Sequence, residues 1–156
     1  MSSCVPDGKL MTEIYGGIRA SLDWRPGNLK CEGMPRPNGA GARLRFSGPA
    51  MIGDAKRQLA FILGLPDLQR GLTGDELPTN VTVIEEDAGR FFSSRDTTTC
   101  WTDIDRQEKA PPGSDGLRQD EYLISGVLYC VAPLAELHGN ASLRFSDLRF
   151  VGRLNW

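Results

Sequence analysis

The chain has 156 residues, 40% of them hydrophobic and 24% charged, which is the size and composition of one globular domain and excludes a collagen, a coiled coil and a disordered tail. Its formal charge is −2, from 18 basic and 20 acidic residues, so it has no cationic excess with which to hold a phosphate backbone, and nucleic acid is not expected as a partner. A domain of this size buries roughly 70% of its unfolded surface without metal or crosslink, so the four cysteines need a separate account.

The first residues, Met1-Ser2-Ser3-Cys4-Val5-Pro6, show neither the basic n-region nor the apolar h-region of a signal peptide. Cys4 behind the small Ser3 fits a lipoprotein-type acylation site, which would anchor the domain to an envelope. The first predicted strand covers 18–24, where Ile18, Ala20, Leu22 and Trp24 alternate with Arg19, Ser21 and Asp23. Arg25-Pro26-Gly27-Asn28 ends it, because Pro presets one φ and Gly frees the next. Leu29 to Gly33 is a second strand and 35–41 a loop. Ala42, Leu44 and Phe46 against Arg43, Arg45 and Ser47 give a third strand.

Residues 54–63 carry a conflict. Asp54 could cap a helix, whereas Phe61-Ile62-Leu63 reads as buried strand, and a strand from Gln58 to Leu65 accounts better for the apolar run. That run, Leu59 to Leu65, is the longest in the chain and is broken by Gly64, so no transmembrane helix is expected. A Gly-, Pro- and Asp-rich connection follows over 66–79. Val81 to Glu86 and Arg90 to Ser94 are short strands about a turn at Asp87-Ala88-Gly89, and further strands cover 100–106, 121–131, 142–145 and 148–156. The segment 109–116 reads as an exposed hairpin loop. Roughly nine strands with frequent turns and no amphipathic helix predict a single all-β domain over 1–156, a β-sandwich or jelly roll, with a closed β-barrel as the alternative.

Cys4, Cys31, Cys100 and Cys130 are scattered, without a C-x-x-C, and His138 is the one histidine. Zinc is therefore poorly supported, and two disulfides in an oxidising compartment, secreted or periplasmic, fit better. If the strands flanking 109–116 pair as a hairpin centred near residue 115, Cys100 stands opposite Cys130 at close to bridging distance, which leaves Cys4 for Cys31. The same register sets Trp101 opposite Tyr129, Asp103 opposite Val127 and Asp105 opposite Ser125 on one face. The other face carries Cys100, Ile104, Ile124, Leu128 and Cys130 and is expected to be the core.

The outward set is an aromatic pair beside two carboxylates, which offers ring faces to the C–H surfaces of a sugar and acceptors to its hydroxyls. The same Trp and Tyr would equally serve as a stabilising cross-strand pair or as anchors of a protein interface. Asp103 and Asp105, with the Glu85-Glu86-Asp87 turn, offer hard oxygens to calcium, although two carboxylates at i and i+2 fall well short of a calcium loop and solvation explains them more simply. Arg36, Arg43, Arg45, Arg144, Arg149 and Arg153 fall on outward strand positions or in the 35–38 loop, where they could engage an anionic glycan or simply guard sheet edges.

Enzyme signatures are missing from the chain: no G-x-S-x-G, H-E-x-x-H, P-loop or complete G-x-G-x-x-G occurs, and His138 sits in a turn with no partner in view. Asn80-Val81-Thr82 and Asn140-Ala141-Ser142 match the N-glycosylation sequon. The leading expectation is a secreted or periplasmic non-catalytic binding domain for a saccharide or cell-envelope polymer, using Trp101, Tyr129, Asp103 and Asp105, with no cofactor beyond the calcium option. The alternative is a structural or protein-interaction domain that oligomerises through a sheet face. A small carboxylate-based hydrolase ranks third, since no positioned acid–base pair can be located.

Overall fold

Period-two patterning builds thirteen strands among the residues described by the computed structural model, 4–111 and 120–156. They are β1 Lys9–Gly16, β2 Ala20–Trp24, β3 Lys30–Pro35, β4 Ala42–Ile52, β5 Ala55–Leu65, β6 Gly74–Pro78, β7 Asn80–Glu85, β8 Arg90–Ser93, β9 Cys100–Lys109, β10 Glu121–Cys130, β11 Leu134–Glu136, β12 Ser142–Phe145 and β13 Leu148–Asn155. The all-β class is as expected, but the strand count is higher than roughly nine, because β1, β6 and β11 escape the reading. The helix option at Asp54 fails: Gly53 turns with φ 61° and β5 starts at Ala55, three residues before the expected Gln58. Most of the hairpin loop expected over 109–116, and Met1 to Ser3, lie outside the described residues.

Every pairing is antiparallel, and the strands run β3-β4-β5-β7-β8-β11-β12-β1-β13-β10-β9-β6, with β2 added on β1. Hydrogen bonding ends at β3 and at β6, so the sheet is open and not the closed barrel of the alternative. Ring contacts show how it is folded. Phe46 on β4 packs on Phe150 on β13 with centroids 5.2 Å apart, Trp24 on β2 meets Phe61 on β5 edge-on at 6.1 Å, and Phe61 meets Phe145 on β12 at 6.0 Å. Side chains of the β4–β5 arm and of the β2, β12 and β13 arm therefore meet in one core.

β3 and β13 approach closely at Gly33. A Cβ at Gly33 would lie 2.6 Å from the Arg153 carbonyl oxygen and 3.0 Å from Leu154 Cα, and backbone cannot rotate out of the way. Gly33→Ala is expected to cost about 2 kcal/mol through overpacking, a fall in Tm of roughly 6 °C for a chain of this length. A thermal melt by circular dichroism checks this, and an unchanged Tm would mean that the two arms are not held at that spacing.

Both disulfides are present with the expected partners, Cys4–Cys31 and Cys100–Cys130, at Cα separations of 4.8 and 4.0 Å. Crosslinks of this kind fit an oxidising environment. The lipid-anchor reading of Cys4 is corrected, since its sulfur is bonded to Cys31 and is not available for a thioether. No helix among the described residues is long and apolar enough to cross a membrane.

In the β9–β10 hairpin the expected register holds from Cys130–Cys100 through Tyr129–Trp101 and Val127–Asp103 to Gly126–Ile104. It then shifts by one residue. Arg106, not Asp105, stands opposite Ser125, and Asp105 is the extra residue of a β-bulge. Beyond the bulge the faces exchange, which turns Gln107 into the core. Its Nε2 donates to the carbonyls of Gln69 and Leu72 at 3.0 and 2.7 Å, and its Oε1 accepts from Trp156 Nε1 at 2.7 Å, so one buried amide ties the 69–72 turn to the end of the chain.

Candidate functional site

Because Cys100, Thr102, Ile104 and Leu128 point into the core, Trp101, Asp103, Val127 and Tyr129 point out of the sheet. The Trp101 and Tyr129 rings lie 6.2 Å apart with planes tilted by only 30°, and both side chains are half-buried, with part of each surface still open to solvent. The Cys100–Cys130 bridge, one residue away on both strands, crosslinks the hairpin immediately beside the pair.

Asp103 does local work as well as facing outward. Its Oδ1 accepts the backbone N–H of Glu76 at 2.7 Å, which holds Glu76 in the left-handed region at φ 52° and fastens the edge strand β6 beside the platform. Asp105 accepts the Ser125 hydroxyl, and four residues of strand, roughly 13 Å, separate it from Trp101. Of the four expected ligand residues, Trp101, Tyr129 and Asp103 come together, and Asp105 belongs to the bulge.

Three carboxylates that the sequence reading missed join this group. Asp147 precedes Leu148, which pairs with Leu128, so it stands one rung further along, level with Tyr129. Asp75 and Glu76 approach from β6, whose Pro78 is in register with Trp101. Burial pushes the Tyr129 hydroxyl pKa up, and the negative charges of Asp103, Glu76, Asp75 and Asp147 add to the rise. The alternation from Leu148 onward sets Asp147 at the start of a strand, but not beside β10. Asp75 and Glu76 lie in what reads as a connecting loop.

Next to the platform, a cleft of about 200 Å³ opens where β1 leaves β13 for β12. Tyr15, Arg144, Phe145, Ser146, Cys130 and Leu134 line it. Tyr15 and Arg144 are exposed, in register with each other, and Arg144 has no ion-pair partner among the described residues.

The arginines do not form one strip. Arg43 and Arg45 are on β4, while Arg144, Arg149 and Arg153 are on β12 and β13, in the other arm. Arg45 pairs with Glu86 at 3.0 Å and Arg153 with Glu121 at 3.4 Å, and Arg36 starts the 36–41 turn through its N–H to Gly41 O. The calcium contribution of Glu85-Glu86-Asp87 is also corrected. Glu85 is buried between Arg57 and Arg90, Glu86 holds Arg45, and Asp87 accepts the Gln58 N–H. No three His, Cys, Asp or Glu side chains among the described residues are grouped to hold a metal ion. His138 is exposed on a turn at φ 61°.

Comparison with protein-family models, with curated proteins and with solved structures yields no match.

Proposed function

We propose that this chain is a non-catalytic β-sandwich binding domain of an oxidising compartment, secreted or periplasmic, whose Trp101–Tyr129 face takes a saccharide. The two arms that meet in a shared aromatic core support the sandwich. The two disulfides support the compartment.

One observation carries the ligand reading. Two aromatic rings 6.2 Å apart and tilted by 30° stand half-buried on the outward face of a crosslinked hairpin, with a carboxylate acceptor, Asp103, two residues along the strand and a mostly apolar cleft alongside. A sugar stacked over roughly 80 Å² of the indole gains about 2 kcal/mol at about 25 cal/mol per Å², a factor of roughly 30 in affinity.

The test is a glycan array, run with and without calcium, on the wild-type protein and on Trp101→Ala. Specific binding that falls about 30-fold in the variant, with the domain still folded by circular dichroism, is the expected result. Silence across the array overturns the reading in favour of an interface. Met11 and Tyr15 on the same face are exposed large hydrophobics, and the species would then grow with concentration in sedimentation and shrink with Trp101→Ala.

A further inference from the structure

The outward face around the aromatic pair is charged unevenly. Asp103 and Glu76 flank Trp101 on the β6 side, Asp75 adjoins Glu76, and Asp147 stands beside Tyr129 on the β13 side. Asp75, Glu76 and Asp147 are exposed, and none of the four carboxylates is ion-paired among the described residues. Arg149, opposite Val127 on the neighbouring strand, is the nearest cation by register and makes no ion pair with them. After burial, the charges of Asp103, Glu76, Asp75 and Asp147 raise the pKa of the Tyr129 hydroxyl. Aromatic ring faces carry negative charge of their own. Rings and carboxylates together thus present a surface complementary to a cation and unfavourable to an anion.

The edge beside it argues for recognition through side chains. β6 has a register break between Gly74 and Leu77, a left-handed Glu76 and a Pro78 without an N–H, so it offers no regular row of donors and acceptors to which an extended peptide could add.

Building on the saccharide reading, we infer that the ligand of the Trp101–Tyr129 face is an amino sugar with free ammonium groups. The ring C–H surfaces stack on the aromatics while the ammonium groups lie among Asp75, Asp103 and Asp147. A carboxylate about 6 Å from an ammonium in water-like surroundings contributes roughly threefold in affinity, so two of them contribute about tenfold.

Titration calorimetry with glucosamine tetramer, its fully N-acetylated counterpart and a neutral glucose tetramer tests this. The wild-type protein is expected to bind the glucosamine tetramer at least tenfold more tightly than the other two, with the margin shrinking at 0.5 M salt. The exposed double variant Asp75→Asn/Asp147→Asn is expected to lose about tenfold for the glucosamine tetramer and nothing for the neutral one, and Trp101→Ala to lose both. Equal or tighter binding of the neutral or acetylated tetramer overturns the inference and leaves the saccharide reading standing. Failure of all three tetramers to bind overturns both. Capture of an oligolysine peptide without the glucosamine tetramer overturns the inference in favour of a basic protein segment.

Discussion

Reduction of both disulfides is expected to lower the Tm by about 20 °C. Cys4–Cys31 and Cys100–Cys130 are separated by 27 and 30 residues, loops whose closure removes about 3.5 kcal/mol of unfolded-state entropy each. For a chain of this length, with an unfolding entropy of roughly 0.33 kcal/mol per kelvin, each crosslink is equivalent to about 10 °C. The two bridges differ in what else they hold. Cys4–Cys31 pins the segment before β1 to β3, where the Cys4 N–H also donates to Leu29 O at 3.2 Å. Cys100–Cys130 closes the hairpin one residue from the platform, reinforced by Val131 N–H to Thr99 O at 2.8 Å. Serine pairs replacing each bridge are thus expected to melt about 10 °C lower alike, yet only Cys100→Ser/Cys130→Ser should weaken ligand binding. Differential scanning fluorimetry with and without reductant measures the first effect. A shift below about 3 °C would show that the crosslinks close loops already closed in the unfolded chain.

The hairpin shows how far the sequence can be read and where it stops. Apolar Ile104, Ile124 and Leu128 against outward Trp101, Asp103 and Tyr129 mark the face expected to be buried, and a hairpin centred near residue 115 sets the register that brings Cys100 opposite Cys130. Nothing in the alternation marks Asp105 as the extra residue of a bulge. The bulge shows only in its consequence, a glutamine facing inward at Gln107, and a buried glutamine is legible only once the carbonyls of Gln69 and Leu72 are in place. β1 was written plainly as Leu10, Thr12 and Ile14 against Met11, Glu13 and Tyr15, but Thr12, buried and bonded to the Ser146 carbonyl at 2.8 Å, interrupts the apolar set. β6 carries glycine, proline and two acids, the composition of a loop, and is a strand only because β9 offers it an edge. The acidic surround of the platform was hidden for the same reason: Asp75, Glu76 and Asp147 reach Tyr129 through pairings between strands distant in sequence.

Trp24→Ala is expected to cost about 5 kcal/mol, or roughly 15 °C in Tm, the largest effect of any single core truncation here. The indole is 1% exposed, meets Phe61 edge-on, and donates Nε1–H to Pro49 O at 2.8 Å. Truncation leaves a cavity costing about 4 kcal/mol and strips a part-buried carbonyl of its donor for about 1 more. Trp24→Phe keeps most of the apolar volume and should cost about 2 kcal/mol. The strand facing the indole is shaped to it: a Cβ at Gly48 would lie 2.6 Å from the ring carbons Cδ2 and Cε2, so Gly48→Ala forces the ring to move and should cost 1–3 kcal/mol by overpacking, about half the effect of truncation. In Trp24→Ala/Gly48→Ala the new methyl enters the space the indole vacated. The double variant is therefore expected to be more stable than the sum of the single losses by at least 1 kcal/mol, read from urea denaturation. Strict additivity would mean that glycine is required at position 48 for some reason other than the ring, and that the contact between β2 and β4 does not set the spacing of the two arms.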